Sequence, residues 1–247
     1  MGRGRAWLSL VAGVAVIALA WWLLNRPLES DTATSPVASG SASPSAQTSA
    51  TPAPPGSVPA NAIAAQAHWT IDGDTIDISI DGVVERMRLL NVNAPEKRSG
   101  ARPAECLNFE ASGVLIDLAP KGTSLRIVRH GKDRFGRTLG AAWLADGRML
   151  GAEVIRQGYA APLTVGGVAT YRVEMESARA EAATAKRGLH AVTPACTVPA
   201  RVAALKPQDP SAPTLLVELQ SRAPHAGVAA LTDAHRASLI ATVKARG

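Results

Sequence analysis

Two short stretches of this chain gather residue types that handle phosphate and metal. In the first, Ile71-Asp-Gly-Asp-Thr75, an acid cluster opens a run that continues through Arg88 to Glu96. In the second, Lys132-Asp-Arg-Phe-Gly-Arg137, three cations fall within six residues, with Arg126, Arg129 and His130 just ahead. Carboxylate oxygens hold hard cations. Arginine presents forked donors that match a phosphate as lysine cannot, and a glutamate close to such a pair can take a proton from water. Each stretch also has a plainer reading: Asp-Gly-Asp is ordinary turn composition, and charge runs are commonly solvated faces. A calcium EF-hand loop fits poorly. Counting from Asp77 puts oxygen ligands at Asp77, Ser79 and Asp81, but the closing position is Arg88, which repels the ion.

For the first stretch to act as a unit, a hairpin must position it. Ile76, Ile78 and Ile80 alternate with Asp77 and Ser79, Asp81-Gly82 supplies a type I′ turn, and Val83 to Leu90 returns. A two-residue turn pairs Ile80 with Val83 and Ile76 with Met87, which sets Thr75 opposite Arg88. Asp74 and Arg88 then share one end of the hairpin. The return strand is expected to run on through Asn93-Ala94 until Pro95 stops ladder pairing and swings Glu96 back toward that end. Alone, the hairpin also matches a charged surface element with incidental carboxylates. Beyond it, Pro103 marks the start of a helix of about four turns carrying Leu107, Ala111, Val114, Leu115 and Leu118, and Pro120 stops it. Strands are expected from Thr123 to Arg129 and from Leu139 to Leu144, with an Asp146-Gly147 turn and a short return to Leu150. Gly151 to Gln157 suits a short helix, and Tyr171, Met175, Ala178, Ala182 and Ala185 mark a longer one capped by Gly188. This succession implies an α+β domain built on a small barrel.

The apolar residues, 47% of 247, are unevenly placed. Ala6 to Leu24 is uncharged and close to the ~20 residues that cross a bilayer. Ala18-Leu19-Ala20 suits a cleavage site, yet Trp21, Trp22, Leu23 and Leu24 continue the run, so residues 1–28 read as an uncleaved anchor with a cleaved signal as the alternative. Arg3 and Arg5 ahead of the span point to a cytoplasmic N-terminus and an exported body. Residues 29–66, rich in Ser, Thr, Ala and Pro, read as a disordered linker, residues 67–197 as the domain, and residues 198–247 as an extension without an assignable task, ending in a helix from Thr232 to Ala245. In an exported chain the two cysteines, Cys106 and Cys196, are expected to form a disulfide, because two ligands so far apart without a histidine make a poor zinc site. The formal charge of +6 attracts polyanions.

Taken in order, Asp72-Gly-Asp-Thr75, Arg88-Leu-Leu-Asn-Val-Asn-Ala-Pro-Glu96, Asp133-Arg-Phe-Gly-Arg137 and Val154-Ile-Arg-Gln-Gly-Tyr-Ala160 resemble the motifs of the staphylococcal nuclease (thermonuclease) family. The resemblance runs from about Trp69 to Leu189 and leaves out the anchor, linker and extension. It implies a five-stranded OB-type β-barrel with packed helices and a calcium-dependent phosphodiesterase acting on DNA and RNA. By that resemblance Asp74 matches a calcium carboxylate, Asn93 stands where the family has a second aspartate, and Ala94 matches a backbone-carbonyl ligand. Glu96 matches the residue that orients or deprotonates the attacking water, and Arg88 and Arg137 match the two phosphate-binding arginines. Arg134 and Phe135 occupy positions where the family places a lysine and a tyrosine. Phe135 lacks the hydroxyl but keeps a face for base stacking. Asn93 and Phe135 raise the alternative of a catalytically impaired nucleic-acid-binding barrel, while Arg88, Glu96 and Arg137 favour the enzyme. A cell-envelope structural module would rest on the anchor and extension alone. The expected molecule is a monomer without protein partners, anchored in a bacterial-type envelope with its domain outside the cytoplasm and with DNA or RNA as its partner.

Overall fold

The structure is a computed structural model that describes residues 57–164 and 167–247. Its strands are β1 (Ile63–Thr70), β2 (Thr75–Ile80), β3 (Val83–Leu89), β4 (Val92–Asn93), β5 (Ser124–Lys132), β6 (Thr138–Trp143) and β7 (Ala161–Pro162). Five of them close a barrel in the order β1-β2-β3-β6-β5, with β3 and β6 parallel and the other pairs antiparallel. β4 and β7 form a separate two-stranded pair. Helices α1 (Asn108–Leu118), α2 (Leu150–Arg156) and α3 (Arg172–Thr184) pack around the barrel. The fold is α+β, as the element pattern implies.

The β2–β3 hairpin forms in the expected register. Asp81 and Gly82 both have positive φ, 51° and 81°, as a type I′ turn demands, and Thr75 lies opposite Arg88. Ile76, Ile78, Met87, Leu125, Ile127 and Trp143 are buried inside. The return strand, however, stops at Leu89. Asn91 takes a left-handed φ of 61°, breaking the run, so that Asn93 belongs to β4 and pairs with Ala161 instead of continuing β3.

Three other boundaries differ from expectation. β1 opens at Ile63, inside the stretch given to the linker, because its inward positions Ala65 and Ala67 are small residues indistinguishable in composition from the tether before them. α1 starts at Asn108 instead of Pro103: Leu107 sits at a φ of 67°, the Glu105 N–H donates to the Glu96 carbonyl at 2.9 Å, and Cys106 is bonded to Cys196, so the chain before Asn108 is held as a loop. α3 is closed by Lys186, at a φ of 51°, with Lys186 N–H on Ala183 O and Arg187 N–H on Ala182 O, a Schellman arrangement. Gly188 has another task, in a 3-10 turn (Gly188–His190) where a Cβ would lie 2.4 Å from the Gly158 carbonyl oxygen.

The Cys106–Cys196 disulfide forms, with the Cα atoms 5.6 Å apart. After it come α4 (Val198–Ala203), α5 (Ala212–Gln220), α6 (Ala226–Ala229) and α7 (Asp233–Arg246), around a core of their own that includes Val198, Val202, Leu215, Leu219, Leu231 and Val243. Thr232 caps α7, its hydroxyl accepting from the His235 N–H, as its position before the helix predicts. Among the described residues no helix is long and apolar enough to cross a membrane. The run from Ala6 to Leu24 and the linker up to residue 56 lie outside the described residues.

Candidate active site

Gly73 locates the acid cluster. A Cβ there would lie 2.7 Å from the Cβ atoms of both Ala111 and Ala94, so only glycine lets the β1–β2 turn press between α1 and the end of β4. That contact delivers Asp74 to Ala94. The Asp74 carboxylate accepts from the Thr75 hydroxyl at 3.1 Å and from the Ala94 N–H at 2.8 Å, and pairs with Arg88 at 2.9 Å. Arg88 also donates to the Leu89 carbonyl at 3.0 Å. Both charges are buried, Asp74 5% and Arg88 7% exposed.

Burial pushes the Asp74 carboxyl up to about 7; Arg88 and the Ala94 N–H pull it down, and neighbouring Asp72 adds to the rise. Burial thus outweighs the arginine beside it. Asp72, whose carboxylate also accepts the Asp74 N–H at 3.0 Å, is a participant that sequence reasoning did not single out. Its signal was the first position of Asp-Gly-Asp, read there as turn composition.

Glu96 follows buried Pro95 and is itself solvent-exposed. Its carboxyl stands above the usual range, first through desolvation, then through Asp72 and Glu105, with Arg88 and Arg102 acting the other way. Glu96 therefore feels Asp72 and Arg88, both of which also act on Asp74. Its main chain is steadied by Glu105, whose own carboxylate accepts the Ala226 N–H of α6 at 3.2 Å, tying the extension to this segment. Asn93 is half-buried, and its side chain makes no hydrogen bond among the described residues.

Arg134, Phe135 and Arg137 form a second group on the β5–β6 turn. Asp133 organises it: its carboxylate accepts from the Phe135 N–H at 2.9 Å, the Arg137 N–H at 3.0 Å and Arg137 Nε at 2.6 Å. Although desolvation pushes its carboxyl up, these bonds hold it below the usual range. The guanidinium carbons of Arg134 and Arg137 lie 4.7 and 5.5 Å from the centroid of the Phe135 ring, which is 68% exposed. Among the described residues no hydrogen bond or ion pair joins this group to the first. The register relates them instead. Met87 pairs with Thr138 and Arg88 with Leu139, so Arg137 follows the turn beside Arg86, on the outward side that Arg88 also takes.

Among the described residues no three His, Cys, Asp or Glu side chains converge as a metal cluster. The contacts around Asp74 bring in the Ala94 N–H and the carboxylate of Asp72, and half-buried Asn93 directly precedes Ala94 in the chain, so the acidic and amide groups of this segment are oxygen donors. Such a set, with no thiol or imidazole in it, fits a hard cation and not a soft one.

Residues 86–191 match the family model described as staphylococcal nuclease homologue. Over 113 residues the chain is 35% identical to the thermonuclease of Staphylococcus intermedius, a match spanning 45% of this chain and 67% of that protein. The chain belongs to the staphylococcal nuclease family. The thermonuclease of Staphylococcus hyicus is 29% identical over 120 residues, spanning 48% of this chain and 70% of that one. An uncharacterized endonuclease of Escherichia coli O157:H7 is 29% identical over 90 residues, 36% of this chain and 54% of its own length. The staphylococcal nuclease match includes Arg88, Glu96 and Arg137, whereas Asp74 precedes it.

Proposed function

We propose that this staphylococcal nuclease domain hydrolyses phosphodiester bonds of DNA or RNA, with calcium as its cofactor, outside the cytoplasm. One observation carries the reading: a buried carboxylate, Asp74, bonded to Arg88 at 2.9 Å and, at 2.8 Å, to the N–H of Ala94, two residues before Glu96. Asp74, with the Asn93 amide oxygen and the Ala94 carbonyl, would hold the calcium. When bound, that ion supplies Lewis-acid charge to a phosphoryl oxygen and acidifies water. Glu96 orients the attacking water and takes its proton. Arg88, already aimed by Asp74 and the Leu89 carbonyl, sets forked donors against the phosphoryl oxygens as their charge grows, and Arg137 adds a second fork. Arg134 and Phe135 hold the neighbouring nucleotide by charge and by stacking. Export is supported by the apolar run from Ala6 to Leu24 and by the disulfide, a bond typical of oxidising compartments.

Incubating the protein with labelled single-stranded DNA, in calcium and in chelator, tests the proposal. Cleavage that appears with calcium and disappears with chelator is expected. Asn93, which brings one negative charge fewer than an aspartate would, favours a second reading, a binding module. Salt-sensitive binding without cleavage at any calcium concentration would establish it.

A further inference from the structure

Trp69 is 67% exposed on β1, an outlying position for a side chain that could bury a large apolar surface. Its direction comes from a bulge. Ala65 and Ala67 point inward, and strict alternation would send the residue two further on inward too. The β1–β2 register shifts between Ala67 and Trp69, making His68 the extra residue and setting Trp69 opposite Asp77 on the outer face. Bulges that re-aim one side chain are frequent beside binding sites.

Across the same face the register runs from Trp69 to Asp77, from Asp77 to Arg86, and from Arg86 to the neighbouring Arg137 of the β5–β6 turn. Three strand spacings cover about 14 Å. Asp77 is neutralised by two bonds from Arg86, at 2.8 and 3.1 Å, and the Arg86 side chain remains 50% exposed. Between Arg86 and the turn lies a cleft of 540 Å³ whose walls include Lys132, Phe135 and Arg137. The row therefore has an aromatic at each end, with Arg86, Lys132 and Arg137 between them; the carboxylates of the cleft, Asp77 and Glu85, are each paired with an arginine. That is the pattern of a single-strand path, in which bases stack on aromatic faces and phosphates meet cations. The face also comprises strands 2 and 3 of an OB-type barrel, a location open to oligonucleotides.

We propose that this face carries the single-stranded nucleic acid flanking the cleaved bond, with Trp69 as a base-stacking platform and Arg86 contacting a phosphate. The proposal rests on the nuclease reading for its ligand, but involves none of the residues assigned to the reaction beyond Phe135 and Arg137 at its near end. A strand of several nucleotides reaches Trp69; a dinucleotide held at the Arg88 end does not.

The test uses the full-length protein and compares kcat/KM for a long oligothymidylate with that for a thymidine dinucleotide. In Trp69→Ala the ratio of long to short is expected to fall about tenfold, the effect of losing one stacked base, through KM for the long substrate, and Trp69→Phe is expected to restore most of it. An unchanged ratio in Trp69→Ala, with the natural protein cleaving both substrates, overturns the path and leaves the nuclease reading standing. If the natural protein cleaves neither, that reading fails, and fluorescence anisotropy of the labelled oligothymidylate in chelator decides the path by itself. Binding weakened about tenfold by Trp69→Ala supports it, and equal affinity overturns it.

Discussion

Arg88 and Arg137 face the same side of the same barrel and live in opposite surroundings. Arg88 is buried, bonded to a buried carboxylate and to a carbonyl of its own strand. Arg137 stands on a turn, 30% exposed, paired with Asp133 four residues before it. The first is oriented by folding itself, since leaving Asp74 or Arg88 alone inside would cost more than the pair does. The second is oriented by a local turn whose ion pair is worth little in water. Arg88 is therefore fixed by the fold, whereas the Arg137 guanidinium is held to Asp133 through its Nε.

Glu96, exposed two residues beyond Ala94, gives the largest test. Glu96→Gln is expected to slow cleavage by about 10²–10⁴-fold while changing nucleic-acid affinity in chelator only slightly, because its work belongs to the transition state. Single-turnover rates and a binding titration check this; equal losses in both would remove Glu96 from the chemistry. The arginines themselves come next. Arg88→Ala is expected to lower the unfolding free energy by about 3–5 kcal/mol, Arg137→Ala by no more than about 1 kcal/mol, although both reduce cleavage. Similar urea midpoints for the two variants would erase the distinction.

Asn93→Asp restores a carboxylate to the buried side. The calcium concentration for half-maximal cleavage is expected to fall about tenfold, since charge count governs affinity at such sites. Nucleic-acid affinity without metal should stay level or drop slightly, and an unaltered calcium dependence would place Asn93 away from the ion. Smallest is the change on the exposed side. Phe135→Tyr adds one hydroxyl to the ring proposed to stack on a base, worth about 1 kcal/mol at most, so KM should fall a few-fold with kcat constant. A fall in kcat instead would mean that the turn takes part in the reaction and not only in holding substrate.

The parts legible in the sequence are those governed by local rules. Asp81-Gly82 with alternating isoleucines set the hairpin register, hence the Asp74–Arg88 meeting, and Thr232 announced its helix. What stayed hidden depends on distant contacts. Ala65 and Ala67 carry too little apolar bulk to mark a strand, and only closure against β5 makes them core. Asn91 and Leu107 adopt left-handed backbone and each moved a boundary; asparagine tolerates that conformation but does not demand it, and leucine gives no sign of it. Of the site, the residue types and the partner of Arg88 could be read. The hold of Asp133 on Arg137, and the tie from Glu105 to α6, come from side chains meeting across loops whose shape the sequence does not state.

The bond between Cys106 and Cys196 joins positions 90 apart in sequence and closes a ring that holds β5, β6, α2 and α3. A protease that nicks the backbone at exposed Leu163 within that ring would not split the molecule. Both fragments should migrate together in non-reducing electrophoresis and part only when reductant is added. Separation without reductant would show the bond to be open. Such a ring converts a fatal cut into a tolerated scar.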